Sequence, residues 1–165
     1  MSTLSKKLKY TLLIAFLLIN TFAFAQEEEE EHHHHCHKYE LGVANAIAIT
    51  PEEGEAAYAL HLHIIRHFEH TKFGVGLGYE KVFDEHKHNS IGVVGTYNPI
   101  GKLNFSLSPG IAYEGSGFEE TKFVVHLETS YDFMIGNFHA GPAIEYSYNP
   151  EHSHYSFGLH IGIGI

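Results

Sequence analysis

Six consecutive residues, His32, His33, His34, His35, Cys36 and His37, carry the densest set of ligand atoms in the chain, directly behind five glutamates at 27–31. Imidazole nitrogen and thiolate sulfur suit Zn, Ni, Co or Cu ions, and the neighbouring carboxylates concentrate cations around them. The run lacks the separated ligand pairs of a structural zinc site, so it reads as an exchangeable scavenging segment. A solvated low-complexity leader has the same composition. Cys36 is the sole cysteine, which excludes an intrachain disulfide. It follows four histidines and lies eleven residues past Ala25, an arrangement unsuited to lipid attachment.

A second set recurs at alternate positions further along: His61, His63, Glu80, His126, Glu128, His139, Glu145 and His160. If alternate residues share one interior, these groups form a hydrogen-bonded network there, because an unpaired buried charge is costly. Such a network is either a polar filling or a discrete metal site or proton-linked passage. A third set falls in the breaks between apolar segments: Glu52, Glu53, Glu55, Asp84, Glu85, His86, His88, Glu119, Glu120, Glu151, His152 and His154. It reads as ordinary loop composition, or as a surface that meets lipopolysaccharide phosphates through bridging divalent cations. Histidine occurs 16 times, and its presence in all three sets favours metal handling.

The elements that must hold these residues follow from the hydrophobic pattern. Lys6, Lys7 and Lys9, an apolar stretch at 11–24 and the small-x-small pattern Ala23-Phe24-Ala25 read as a cleaved secretory signal over 1–25. The mature chain then has 140 residues, enough for one domain, and its seven basic against twenty acidic residues give a net charge of −13. Nucleic acid is thereby an unsuitable partner. Residues 26–38 offer nothing to bury and read as a disordered Glu/His-rich tail. No apolar run after the signal approaches the roughly 20 residues of a spanning helix.

From Tyr39 onward the period is two, over eight segments. One face carries Val43, Leu62, Leu77, Leu107, Leu127, Ile144 and Ile161, and the other carries Gly, Ala and Ser with isolated His and Glu. That second face is a poor coat against water and a suitable filling for a narrow lumen. The apolar face is therefore expected to point outward. Aromatic placement agrees: Tyr58, Tyr79, Tyr113, Phe123, Tyr146, Tyr148 and Phe157 mark one end of the strands. Tyr39, Phe68, Phe73, Tyr97, Tyr131, Phe133 and Phe138 mark the other, as two membrane interfaces select. The expectation is an all-β, eight-stranded antiparallel up-and-down transmembrane barrel over 39–165, favoured over a soluble barrel or sandwich.

On these residues, including the closing segment from Phe157 to Ile165, the chain resembles the small outer-membrane β-barrels of Gram-negative bacteria, the OmpA-transmembrane-like and OmpX-like class. Many members of that class end in an aromatic residue, where this chain has Ile165. The resemblance implies an outer-membrane monomer in contact with lipid and lipopolysaccharide, its N-terminal tail in the periplasm and the breaks at 51–55, 84–89, 115–120 and 149–154 facing outward. Function is expected to be non-enzymatic: metal binding by the tail, as a buffer or an accessory to a metal-transport system. The alternative is a general structural barrel or narrow channel. An enzyme would need a nucleophile and a histidine where lipid can enter, and the lipid-facing strand centres have neither His nor Ser; H-E-x-x-H, G-x-S-x-G and phosphate-loop motifs do not occur.

Overall fold

A computed structural model describes residues 37–51, 54–84, 88–114, 121–151 and 153–165. The signal at 1–25 and the tail as far as Cys36 lie outside the described residues. The described residues form nine strands: β1 (Tyr39–Thr50), β2 (Glu55–His67), β3 (Phe73–Val82), β4 (His88–Ile100), β5 (Leu103–Glu114), β6 (Thr121–Tyr131), β7 (Phe133–Ile135), β8 (Phe138–Tyr148) and β9 (Ser153–Gly164).

Strands consecutive in the chain pair antiparallel, except that β6 and β7 both pair with β8, and β9 returns to β1. The closure is completed by Tyr39 and Ile165, each of whose amides donates to the other's carbonyl, at 3.2 and 2.8 Å. The sixth segment divides at Asp132, but β7 keeps the register of β6 against β8, as Ser130 opposite Ala143 and Phe133 opposite Ala140 show. The two act as one stave, and the sheet is a closed eight-stranded barrel. Closure pairs the edges that would otherwise expose backbone groups to lipid. The near end is taken here as the rim where β1 starts, and the far end as the rim of the β1–β2 turn. Gly54, whose φ of 68° favours glycine, shapes that far turn, and Gly136, with φ 64°, shapes the β7–β8 turn at the near end.

The faces fall as the alternation requires. Leu62, Leu77, Leu127 and Ile161 are exposed on the outside, Leu77 at 58%. Rings meet at two levels: Phe73 stacks on Tyr97 at 5.0 Å and Tyr131 meets Phe133 at 5.4 Å near one rim. Tyr58 meets Phe83 at 5.4 Å and Tyr146 meets Tyr155 at 4.9 Å toward the other. An apolar belt between aromatic girdles is the surface that acyl chains cover and headgroups flank. Inside, the apolar share is small: Ala48, Ala59 and Val82 cluster toward the far end, and Ile65 and Val94 are each 1% exposed. β2 runs to His67 before the chain turns, which places both Ile65 and His67 on the inner face.

Candidate functional site

Register determines which side chains share the lumen. Following ladder partners from β8, the row His139, Gly162, Gly42, His63, Gly78, Gly92, Gly110 crosses seven strands. A Cβ on Gly42 would strike the ring of His63, and one on Gly162 would strike the ring of His139. Glycine therefore leaves the space into which the two imidazoles fold. The next row toward the far end is His160, Ala44, His61, Glu80, Ser90. Glu128 and Glu145 face each other across β6 and β8, with Ser156 beyond on β9.

Toward the near end, Glu40 serves as hub. Its carboxylate accepts from His67 at 2.9 Å and lies 3.4 Å from His63 and 3.5 Å from His139. His160, fully buried, lies 3.1 Å through Nδ1 from Asp132 and 3.4 Å through Nε2 from His63. Asp132 in turn accepts from the Ser130 hydroxyl at 2.8 Å.

Further along, His126 is held between Glu145 at Nδ1 and Ser90 at Nε2, both 3.0 Å, with Glu80 at 3.5 Å. His61 Nδ1 stands 3.4 Å from Glu145 and 3.6 Å from Glu128 but has hydrogen-bond geometry to neither. His154 Nε2 is 3.5 Å from Glu80 and likewise makes no hydrogen bond. These rings form one file along the lumen: His139 to His160 5.1 Å, His160 to His63 5.1 Å, His63 to His61 5.7 Å, His61 to His126 6.2 Å and His126 to His154 6.5 Å between centroids.

Three groups bring one ligand atom from each member within 4.8 Å of the others: Glu40, His139 and His160; His61, Glu128 and Glu145; and Glu80, His126 and Glu145. Among the described residues no Lys or Arg pairs with Glu80, Glu128 or Glu145. Lys81 lies over the ring of Phe83, and Lys122 joins Glu114 and Glu151 at the far rim. Among the described residues, the basic partners of Glu80, Glu128 and Glu145 are imidazoles.

All eight residues read from the sequence as a lumenal network are brought into this file or its carboxylate border. Glu40, His67 and Asp132 join the network as well. His154, grouped with the loops, is drawn in because β9 begins at Ser153, so the last break is shorter than 149–154. The signal for His154 was its even spacing from His160. Of the tail ligands, His32, His33, His34, His35 and Cys36 lie outside the described residues. His37 is described, and its ring covers Gly164, the ladder partner of Glu40.

No protein-family model matches the chain, and no curated protein matches it. Solved structures do match. Neisserial surface protein A is 13% identical with a TM-score of 0.57, covering 77% of this chain and 96% of its own. Ail, the attachment invasion locus protein of Yersinia pestis, is 15% identical with a TM-score of 0.56, covering 78% and 99%. A de novo designed transmembrane β-barrel is 14% identical with a TM-score of 0.52, covering 75% and 95%. At such identities the likeness is one of architecture: the chain has the fold of the small eight-stranded outer-membrane β-barrels.

Proposed function

We propose that the protein is a non-enzymatic barrel of a Gram-negative outer membrane that binds transition-metal ions through the His-rich segment 32–37. It serves as a periplasmic buffer or as an accessory to a metal-transport system, working as a monomer surrounded by lipid and lipopolysaccharide. The supporting observation is where that segment joins the barrel. His37 folds its ring over Gly164, beside Glu40, so the tail is continuous with the imidazole and carboxylate cluster at the near end. An exchangeable set of imidazole and thiolate ligands thus directly precedes, in sequence, a barrel whose lumen is lined with further nitrogen and oxygen ligands.

Elemental analysis of protein purified from outer membranes, without added metal or affinity tag, is expected to find Zn, Ni, Co or Cu bound. In titration, replacing His32, His33, His34, His35 and His37 by Ala and Cys36 by Ser in the full chain is expected to reduce both stoichiometry and affinity. Equal binding by the two proteins would remove the tail from the account. A second reading, a structural barrel with no metal role, is favoured by the pairing already made inside by His126, His160 and Glu40. It predicts metal-free protein in the same analysis.

A further inference from the structure

We propose that the lumen holds a divalent transition-metal site of its own, formed by His61 Nδ1, Glu128 Oε2 and Glu145 Oε2, with Ser156 beside it. The site is separate from the tail and deepens the metal-binding reading by giving the barrel itself a ligand. Three observations converge on it.

The first is spacing. Bonds of about 2.0–2.2 Å from zinc to nitrogen and oxygen put tetrahedral ligands about 3.4 Å apart. Nδ1 of His61 stands 3.4 Å from Glu145 and 3.6 Å from Glu128. The second is an orphaned atom. His61 is 7% exposed, yet its Nδ1 makes no hydrogen bond, and the buried Ser156 hydroxyl makes none either. Both residues line a cavity of about 10 Å³ together with Glu80, Glu128 and Glu145, space for one water-sized body. A metal at Nδ1, with a water held by Ser156 in the fourth position, satisfies both atoms.

The third is charge. Glu128 and Glu145 are ladder partners on the same inner face, and like charges directly opposite destabilise a sheet. Glu80 borders the same cavity, and among the described residues no Lys or Arg reaches any of the three. A dication where Glu128 and Glu145 converge with His61 adds positive charge to carboxylates that otherwise face only imidazoles. The other two clusters are weaker candidates because their imidazoles are already engaged: His126 by Glu145 and Ser90, and His160 by Asp132 and His63.

The test uses the full chain folded in detergent micelles, with Co(II) as probe and heat-modifiable gel mobility as the check on folding. The protein carrying the tail substitutions above is expected to keep one equivalent of Co(II) with the intense visible bands of four-coordinate cobalt. Adding Glu128→Gln or Glu145→Gln to it is expected to weaken binding by about 100-fold or more, since loss of supporting partners alone costs 10–100-fold. Should those variants fail to fold, zinc-edge X-ray absorption on the folded tail-substituted protein decides instead. A sulfur-free shell of nitrogen and oxygen at about 2.0–2.2 Å containing one imidazole supports the site.

Absence of bound metal in the tail-substituted protein, or unchanged affinity in its folded Gln variants, overturns the lumenal site and leaves the tail reading intact. Equal metal content in the wild-type and tail-substituted proteins, with loss in the Gln variants, keeps the lumenal site and removes the tail.

Discussion

Glycine and histidine are coupled residue by residue inside this barrel. His63 and His139 are both large, yet each occupies a wall position whose ladder neighbour on β1 or β9 has no side chain. Gly42→Ala is therefore expected to push His63 away from Glu40 and to cost about 1–3 kcal/mol, the range for overfilling a packed interior. Gly95→Ala serves as the comparison, because a Cβ there meets only the Leu107 carbonyl oxygen, at 3.8 Å; it is expected to change stability by less than about 0.5 kcal/mol. Urea unfolding of both variants in lipid vesicles measures the difference. Equal stability would mean that the imidazole moves freely and the glycine has no spatial role.

At the scale of the strand, alternation assigns each element two different solvents. β3 shows the division over ten residues, with Phe73, Val75 and Leu77 exposed outside and Gly74, Gly78 and Glu80 buried inside. The energetic consequence depends on depth, since a guanidinium costs about 2–4 kcal/mol at the bilayer midplane and about 0–1 near an interface. Leu77→Arg, in the middle of the outer face, is expected to fall in the first range, and Ile100→Arg, at the near-end terminus of β4, in the second. Unfolding in bilayers measures both. If the two substitutions cost the same, the outer face is not a lipid belt. Elements also explain what the pattern missed: β9 starts at Ser153, inside the expected break, because ladder pairing carries a strand past the residues that mark it as apolar.

For the whole molecule, closure turns an inner face into a filled interior. Eight strands enclose a space that side chains can fill, and here the file from His139 to His154, bordered by Glu40, Glu80, Glu128, Glu145 and Asp132, occupies it. Wild-type protein in planar bilayers is accordingly expected to show no steady open conductance. A reproducible ohmic channel would mean that these side chains part, and would favour the narrow-channel alternative over a sealed barrel. The exterior makes the complementary statement, with Leu62, Leu77, Leu127 and Ile161 all facing away from the centre.

Strand number, the direction of each face and the two aromatic levels were legible in the sequence, because a period of two places every second side chain on the same side whatever its neighbours do. The eight inward His and Glu residues followed from the same parity. Parity gives a face but no partner: which strands lie opposite across the lumen depends on the register accumulated around the closed sheet. That register alone set His61 between Glu128 and Glu145, joined Glu40 to three histidines and drew His154 in from a loop. Distances between strands far apart in sequence are fixed only when the barrel closes, so local pattern supplied the ligands and tertiary structure decided which of them meet.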